Sequence, residues 1–207
     1  MTFEIMKPDE IDACTEIAAK AFLDYDFFSL YVPTPEKQLP HLRNMFSVEY
    51  RVNQGLYDCL VTKKDGVIVA VAIVRAPDYK MPSDLKYIKA GIWKNAKISG
   101  LKNVAAWYMM DVKAERSCHE YAPDSWYLHL LAVDPAYQGK GIGSSMIREY
   151  ILPFVREHGG KSLTLFTNSD KNCHFYQKNG FEMFDTKFFS YKGKTFGNWS
   201  FIQKIEL

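Results

Sequence analysis

The chain has 207 residues, of which 47% are hydrophobic and 24% are charged, and its formal net charge is +2. This balance is typical of a folded globular protein and excludes a disordered chain, while so small a charge creates no strong field for nucleic acid or a membrane surface. The longest apolar run, Val67–Val74, is far shorter than the roughly 20 residues that a membrane-spanning helix needs.

The first half of the chain predicts a strand, two helices and a hairpin. Acidic residues and a proline at positions 8–10 suit the first turn of a helix, and apolar residues follow at helical spacing up to Phe22. The aromatic-rich segment from Asp24 to Pro35 is predicted as a loop. Asp65-Gly66 is typical of a tight turn between two strands. The other predicted elements are strands Thr2–Met6, Leu56–Thr62 and Val67–Arg75 and a helix over Lys37–Asn53.

The second half predicts alternating strands and helices. Leu85–Glu115 contains Gly91 and Gly100, so we expect two short helices there. A further helix is predicted over Gly143–His158, and Pro153 should kink it or end it early. The other predicted elements are strands Ser125–Val133, Ser162–Thr167, Phe181–Tyr191 and Phe196–Glu206 and a helix over Asp170–Lys178. No repeat or break in composition divides the chain, so we expect one domain over residues 1–207.

The cysteines and the first residues of the chain bear on metal binding and location. Four cysteines, at positions 14, 59, 118 and 173, form no C-x-x-C pair, so reduced thiols are the expected state. Cys118-His119 has no second ligand pair, and we predict no metal site. Charged residues begin at Glu4, which does not fit a secretory signal. A cytoplasmic protein is therefore expected.

Residues 128–145 read LHLLAVDPAYQGKGIGSS and place three glycines between a strand and the start of a helix. Glycines let backbone N–H groups converge on a ligand, and a helix N-terminus adds partial positive charge, so this segment predicts a phosphate or pyrophosphate cradle. The P-loop pattern fails because no Gly-Lys-Ser/Thr follows Gly139 at the required spacing. The G-x-G-x-G run also departs from the dinucleotide spacing G-x-G-x-x-G. A flexible strand–helix turn is the alternative.

Two segments resemble the GCN5-related N-acetyltransferases, the GNAT superfamily. Leu131–Gly143 resembles their acetyl-CoA signature, in which a hydrophobic-Ala-Val-Asp-Pro run leads into Gln-x-x-Gly-x-Gly. Asn168–Phe181 resembles the later motif, a helix that closes in Phe-Tyr-x-Lys-x-Gly-Phe. The resemblance implies an α/β (α+β) GNAT fold, with a mixed, mostly antiparallel sheet of about seven strands, helices on both faces and a splayed strand pair that holds acetyl-CoA.

The resemblance also implies a set of residues that bind the acetyl donor. Leu131 and Val133, with Ala132 between them, would offer backbone groups to the pantetheine arm. Asn168 would bind pantetheine amides, with an N-cap role as its alternative. Asn172 lies on the same helix face as the tyrosine of the second motif and is assigned to the donor site. The residues assigned to the pyrophosphate are Gln138, Gly139, Lys140, Gly141, Ile142, Gly143 and Ser144. A solvated loop charge is the alternative for the lysine of this set.

Two residues are predicted to move protons. Tyr176 matches the family tyrosine that protonates the departing CoA thiolate, and a core tyrosine is the alternative. His129 is the predicted base, because strand alternation would aim it to the same side as Leu131 and its ordinary pKa suits proton transfer near neutrality. Arylalkylamine N-acetyltransferases carry a histidine at this place, but their second histidine is replaced here by Tyr127. A histidine satisfied inside the sheet is the alternative. Weaker candidates for the base are Glu120 and Asp124.

The activity that the resemblance implies is N-acetyl transfer from acetyl-CoA, without a metal, to a primary amine of a small molecule. The alternatives are acetylation of a protein lysine or N-terminus and a catalytically silent acyl-CoA-binding sensor. The aromatic residues between Asp24 and Pro35 are either core or part of an amine pocket, where Asp24 and Asp26 would orient an ammonium. No nucleic-acid or membrane partner is expected, and the chain is predicted to be a monomer or homodimer.

Overall fold

A seven-stranded, mostly antiparallel sheet organises the chain in this computed structural model, which describes residues 1–23, 25–32 and 34–206. The strand order is β1-β2-β3-β4-β5-β7-β6, and β4 runs parallel to β5. The strands are β1 (Thr2–Ile5), β2 (Asp58–Lys64), β3 (Val67–Arg75), β4 (Trp126–Val133), β5 (Ser162–Thr167), β6 (Glu182–Tyr191) and β7 (Lys194–Lys204). The predicted fold class is therefore confirmed.

Helices cover both faces of the sheet. They are α1 (Ile11–Ala21), α2 (Asp26–Tyr31), α3 (Pro35–Val52), α4 (Asp84–Ala90), α5 (Trp93–Ser99), α6 (Leu101–Tyr121), α7 (Ile142–Ser145), α8 (Leu152–Glu157) and α9 (Asp170–Lys178), and a π-helical segment over Met146–Ile151 joins α7 to α8. Within the described ranges, none of the helices combines the length and the apolar character needed to cross a lipid bilayer.

The segment from Leu85 to Glu115 forms three helices rather than the two short ones that its glycines predicted. Gly91 and Gly100 do end α4 and α5, with positive φ values of 100° and 92°. After Gly100 the sequence contains no glycine or proline until Pro123. Helix α6 therefore continues for 21 residues and carries polar side chains over the middle of the sheet.

The helical run after the glycine loop does not end at Pro153. It continues from α7 through the π-helical segment into α8, and Pro153 lies in the first turn of α8. A proline lacks the N–H that an uninterrupted α-helix would use, and here that missing donor falls where one helix type changes to another. An early end of this helix was therefore a wrong prediction.

Two apolar clusters pack on opposite faces of the sheet. One joins α1, α2 and α3 to Leu130 of β4, and the other joins Leu128 of β4 to the helical run from α7 to α8 and to β5. Strand alternation would place residues two apart on the same face. The two leucines lie on opposite faces because β4 contains a β-bulge between them.

The bulge is at His129, and β4 leaves its neighbour β5 there. Leu128 pairs with Val74 and Leu130 with Ile73, which are adjacent residues on β3, so His129 is the extra residue. On its other edge β4 pairs with β5 at Trp126↔Leu163 and Tyr127↔Thr164, and no further pairing follows within the described chain. This parting confirms the splayed strand pair that the resemblance implied.

Candidate functional site

The glycine loop between β4 and α7 presents its backbone to open space. Gly139 and Gly141 have φ values of 74° and 80°, where a residue with a side chain would be strained. A Cβ added to either glycine would meet no atom within 4 Å. Gln138 Nε2 closes the loop by donating to Val133 O at 3.0 Å. The loop is therefore a fixed backbone turn with an unobstructed outer surface.

The third glycine of the loop allows close packing instead. A Cβ on Gly143 would lie 3.2 Å from Phe175 Cζ and 3.6 Å from Val133 Cγ2. Ile142 beside it is buried, and the half-buried Ser144 follows. Ser145 N–H donates to Gly141 O at 2.9 Å as the helix begins. The N–H groups before this bond belong to the first turn, where an α-helix offers its donors to a ligand.

Lys140 is held against the loop itself. Its Nζ donates to Ala136 O at 2.8 Å and lies 5.1 Å from the centroid of the Tyr137 ring. Gln138 is likewise occupied by Val133 O. These contacts favour backbone N–H groups, rather than the two side chains, as the donors that the loop turns toward a ligand.

Asn168 lies at the end of β5, beside the parted edge. Its Nδ2 donates to Gly197 O at 2.8 Å and to Asn198 Oδ1 at 3.0 Å. Its own Oδ1 is buried without a hydrogen-bond partner among the described residues. Ser169 is the N-cap of α9, so the N-cap alternative for Asn168 is wrong. An unpaired buried acceptor costs about 1–3 kcal/mol, so this oxygen favours a ligand with an N–H donor.

Helix α9 carries Tyr176 and Asn172 on one face. Tyr176 is buried, with its ring 6.0 Å from that of Phe201, and Asn172 is half-buried. Burial raises the pKa of Tyr176 above its ordinary value near 10, and Tyr25 and Cys173 add smaller effects in the same direction. The Tyr176 hydroxyl is therefore protonated at neutral pH.

Tyr25, one of the aromatic residues of the predicted Asp24–Pro35 loop, joins the helical layer to the end of β5. Its hydroxyl lies 3.1 Å from Thr167 Oγ1 and accepts the Asn168 N–H at 2.7 Å. These bonds fix the end of β5 next to Tyr176. The sequence offered no signal for this link, because Tyr25 and Thr167 are far apart along the chain.

The bulge in β4 directs His129 toward α3. Its Nε2 lies 3.6 Å from Glu49 Oε1, whereas Leu131 packs with the apolar cluster on the opposite face. The expectation that His129 and Leu131 share a side is therefore wrong, because the bulge interrupts the alternation. Burial lowers the pKa of His129 well below its ordinary 6.5, and the positive charge of Arg75 adds to this effect. The imidazole is neutral at neutral pH.

Four charged residues form a group that we call the charged cluster: Glu49 of α3, which contacts His129, Arg75 of β3, and Asp111 and Glu115 of α6. Arg75 Nη2 contacts Glu49 Oε1 at 3.2 Å, and Arg75 Nη1 contacts Glu115 Oε2 at 3.5 Å. Burial, reinforced by Glu115, raises the pKa of Asp111 to about 8. This cluster was not predicted from the sequence. An arginine ending the apolar strand β3 was a visible signal, but its partners come from two distant helices.

The segment predicted as a loop over Asp24–Pro35 contains helix α2. Its aromatic residues Phe27, Phe28 and Tyr31 are 3%, 8% and 2% exposed and belong to the core. Asp26 is exposed, and Asp24 and Pro33 lie outside the described residues. Of the two alternatives for these aromatics, core packing is the one that the fold supports.

The weaker candidates for a base and the four cysteines remain to be placed. Glu120 and Asp124, the weaker candidates for a base, are exposed. The cysteines are free thiols: Cys14, Cys59 and Cys118 are buried and Cys173 is partly accessible. Over the described ranges, no group of three or more His, Cys, Asp or Glu residues has the arrangement of a metal site.

Sequence comparison places a family domain over the two motifs and the strands that carry them. Residues 104–183 match the family model described as an acetyltransferase (GNAT) domain. Residues 104–183 form a domain of the GNAT superfamily, and the whole chain has the GNAT fold. Members of this superfamily are acetyl-CoA-dependent acyltransferases, and the GNAT fold seen here, with its parted strands and glycine loop, is the fold that they share.

A curated relative matches a short part of this chain. Over 60 residues it is 40% identical to the N-alpha-acetyltransferase RimI of Mycobacterium tuberculosis (strain ATCC 25618 / H37Rv). The match covers 29% of this chain and 37% of the relative. The alignment thus spans well under half the length of either protein.

Solved structures match this chain over nearly its whole length. A histone acetyltransferase HPA2 and related acetyltransferase from Corynebacterium glutamicum gives a TM-score of 0.67 at 16% identity, covering 100% of this chain and 97% of the other. The ribosomal-protein-S18-alanine N-acetyltransferase of Escherichia coli gives 0.58 at 14%, covering 100% and 94%. The putative acetyltransferase yncA of Salmonella typhimurium, solved with acetyl-CoA, gives 0.58 at 16%, covering 99% and 94%. At these identities the likeness establishes the fold.

Proposed function

We propose that the chain transfers the acetyl group of acetyl-CoA to a primary amine of a small molecule. The observation that carries this proposal is the parted edge of β4, which leads directly into the glycine loop. An open strand edge accepts the amides of an extended ligand as it would those of another strand. Acetyl-CoA has amides in its pantetheine arm and a pyrophosphate beyond them, in the order that the edge and the loop require.

The donor site uses backbone groups for most of its contacts. Leu131, Ala132 and Val133 pair with the pantetheine amides, and the N–H groups from Gln138 to Ser144 hold the pyrophosphate. The buried, unpaired Asn168 Oδ1 supports this assignment, since it accepts an amide N–H of the same arm. Asn172 completes this side from α9, and the charge of Lys140 stays near the phosphates.

His129 is the proposed base. Acetyl-CoA supplies an activated thioester carbonyl, and an amine attacks such a carbonyl in its neutral form. The buried His129 imidazole is neutral and stands where β4 leaves β5. Glu49, 3.6 Å from His129 Nε2, stabilises the positive charge that arises when the imidazole accepts the amine's proton.

Tyr176 is the proposed acid. It stands on α9, which follows β5 directly and so lies across the parted edge from β4. Its hydroxyl is protonated and gives its proton to the departing thiolate. No cysteine is assigned a nucleophilic role, because burial raises the pKa of Cys173 to about 11 and keeps its thiol protonated.

Calorimetry and a thiol-release assay test the function. We expect acetyl-CoA to bind the purified chain and free CoA thiol to appear when a suitable primary amine is added. Binding without release for every amine tried would favour the silent acyl-CoA sensor. An absence of acetyl-CoA binding would contradict the donor site itself.

A second candidate function is N-terminal acetylation of a protein. The short match to RimI, which is named as an N-alpha-acetyltransferase, favours it. The acceptor side of this chain favours a small molecule, because α6 is tied across β6 and β7 by Lys187 Nζ to Ser117 Oγ at 2.6 Å and by Asn198 Nδ2 to Ala114 O at 3.2 Å. Peptides with a free N-terminus, compared with small amines at equal concentration, separate the two functions.

Replacing the proposed base gives a test through pH. In the unaltered protein kcat should fall with decreasing pH only below pH 6.5, and we call this fall the acid limb. The pKa of His129 is low, so the imidazole stays neutral until the medium is more acidic. His129→Ala should lower kcat by about 10²–10⁴-fold and remove this limb. A limb that persists in the variant would assign the base to another group. His41→Ala, at a second buried histidine of lowered pKa, is the control for loss of packing.

The proposal also covers the domain organisation, the location and the oligomeric state of the protein. We propose a single domain over residues 1–207, a cytoplasmic location, and a monomer or homodimer. Size-exclusion chromatography with light scattering and limited proteolysis test the oligomeric state and the domain organisation.

A further inference from the structure

Helices α4 and α5 and the first part of α6 have apolar side chains at the surface. Leu101 is 72% exposed, Met109 is 59% exposed and Leu85 is 57% exposed. With four others, they make up half of the fourteen large hydrophobic side chains that are exposed in the described part of the chain. The four are Met81, Ile88, Trp93 and Tyr108. Exposed apolar groups gathered in one segment in this way mark an interaction site.

Polar side chains hold α4 and α5 against α3. The Tyr87 hydroxyl of α4 donates to Glu49 Oε2 at 3.2 Å, and Asn95 Nδ2 of α5 donates to His41 O at 2.9 Å. Asn95 is buried, and within α4, which is described throughout, no residue is buried. A surface helix of a globular protein usually turns its apolar side inward. The reversed arrangement leaves the apolar side of these helices to a partner outside the chain.

Helix α6 has two apolar sides. Trp107 packs against the core cluster that contains residues of α1, α2 and α3. Leu101, Tyr108 and Met109 follow one another at i, i+7 and i+8, which places them together on another side of the helix, in solvent. The Tyr108 hydroxyl lies 3.8 Å from Met81 Sδ. This exposed stripe therefore continues into the segment before α4.

Exposed lysines lie among these apolar groups. Residues 84–110 contain five lysines and one aspartate, a formal charge of +4, so the remaining residues of a chain with net charge +2 carry −2. All five lysines are exposed, and none forms a salt bridge with a described residue. Lys97 Nζ lies 4.6 Å from the centroid of the Trp93 ring, so cationic and apolar groups are neighbours. We call the exposed side of residues 84–110 the lysine-rich surface, and its lysines are Lys86, Lys89, Lys94, Lys97 and Lys102.

The composition of the lysine-rich surface selects the kind of partner. A second copy of the chain would bring the same positive charge, which disfavours pairing this surface with itself. Protein interfaces are enriched in arginine and depleted in lysine, whereas residues 84–110 contain no arginine. Nucleic acid binds lysines through its phosphates but offers little contact to exposed leucine, isoleucine and methionine. An anionic lipid surface accepts both kinds of group, because lysine stems lie along apolar matter while the ammonium groups reach the head groups.

We infer that the lysine-rich surface binds an anionic lipid membrane, with Trp93 and the apolar side chains of α4 and α6 at the boundary between head groups and acyl chains. The lysines meet the lipid phosphates, and the contact lies at the surface of the bilayer. The expectation of no membrane partner followed from the net charge of +2, which hides the opposite charges of two parts of the chain. The lysine-rich surface shares no residue with the proposed donor site, so this inference does not rest on the proposed function.

The first test is co-sedimentation of the purified chain with lipid vesicles. We expect binding to vesicles of phosphatidylcholine mixed with phosphatidylglycerol, and much weaker binding to phosphatidylcholine alone. Lys86→Gln combined with Lys89→Gln should weaken binding to the mixed vesicles about tenfold to thirtyfold, since each lysine near an anionic surface contributes about fivefold. Leu101→Gln should weaken it about tenfold, through lost apolar burial.

Lys161→Gln combined with Lys204→Gln is the matched control. Both lysines are exposed and lie beside the paired ends of β5 and β7, where Ile205 N–H donates to Lys161 O at 2.9 Å. This variant loses the same net charge from another part of the chain and should bind the mixed vesicles as the unaltered protein does. Circular dichroism verifies that each variant is folded.

The second test is the fluorescence of Trp93. This side chain is 46% exposed, whereas Trp126 is buried and Trp107 and Trp199 are half-buried. Membrane contact moves the Trp93 indole from water into a less polar boundary, so its emission should shift to shorter wavelength on mixed vesicles. Trp93→Phe should abolish the shift.

The outcomes separate the membrane from other partners and from the acetyl transfer. A lack of binding to mixed vesicles, equal losses from the two lysine pairs, or an unshifted emission from bound protein would overturn the membrane contact. Self-association that Leu101→Gln abolishes, without vesicle binding, would overturn it in favour of a second copy. Vesicle binding that depends on Lys86 and Lys89, in a chain that binds no acetyl-CoA, would support the membrane contact and contradict the proposed function.

Discussion

Tyr176→Phe is expected to lower kcat by about 10²–10⁴-fold while leaving the affinity for acetyl-CoA nearly unchanged. The substitution removes one hydroxyl from a ring that is buried among other aromatic rings, so packing is preserved. The hydroxyl is protonated because burial raises its pKa, and its removal deprives the leaving thiolate of a proton donor. Stopped-flow or steady-state thiol release gives kcat, and calorimetry gives the affinity.

Tyr150→Phe is the matched control for this prediction. Tyr150 is half-buried beside Phe154 on the helical run after the glycine loop, and burial raises its pKa to about 12, so it too is a protonated, packed tyrosine. Loss of the Tyr150 hydroxyl in this variant should leave kcat unchanged. If Tyr176→Phe weakens acetyl-CoA binding and spares kcat, Tyr176 is a structural residue of the donor site and the acid is elsewhere.

Arg75→Met is expected to lower the free energy of unfolding by about 3–5 kcal/mol, the usual cost of removing one partner from a buried ion pair. Arg75 is 5% exposed, contacts Glu49 and Glu115, and lies over the Tyr79 ring at 4.6 Å. Methionine fills much of the volume but leaves two buried carboxylates without a counter-charge. Urea unfolding followed by circular dichroism measures the change.

The pH dependence of this loss has a defined sign. Arg75 holds the pKa of Glu49 down, so without it this pKa rises in the folded variant. The folded state then takes up protons more readily than the unfolded one, and the stability deficit should shrink as the pH falls. Arg43→Met removes an exposed arginine that contacts Glu16 at 2.7 Å and should cost about 0–1 kcal/mol. Equal losses at the two positions would contradict a desolvated role for Arg75.

A second substitution should restore part of the free energy of unfolding that Arg75→Met loses. Glu49→Gln combined with Arg75→Met removes a buried negative charge together with its partner, so the double variant should be more stable than Arg75→Met alone. If the double variant is less stable by the sum of two independent losses, Glu49 and Arg75 do not interact energetically.

Local patterns in the sequence predicted the elements that depend on local physics. The Asp65-Gly66 turn formed as expected, with φ values of 53° and 80°, because a tight hairpin needs this backbone conformation and few residues adopt it easily. The glycine loop formed for the same reason. Between Leu85 and Glu115 the pattern was weaker, and the predicted number of helices was wrong. Two short helices were expected around Gly91 and Gly100, but the chain forms a third, long helix after Gly100.

The direction of His129 shows the limit of periodic patterns. A sequence that alternates regularly predicts which side each residue faces, but a bulge inserts one residue and reverses the faces beyond it. Nothing in Leu128–Leu131 marks the insertion. It is defined by pairing with Val74 and Ile73 on β3, which are remote in sequence.

The sequence by itself determined the strand–loop–helix unit and its resemblance to the GNAT superfamily, because a backbone turn that receives a phosphate depends on glycines at a fixed local spacing. The tertiary structure decided what faces that unit: the bulge that aims His129 at Glu49, the bond from Tyr25 to the end of β5, and the charged cluster. These features bring together side chains from α3, β3, β4 and α6, which no local pattern relates. Burial then sets their protonation, since the cost of desolvating a charge depends on every neighbour in space.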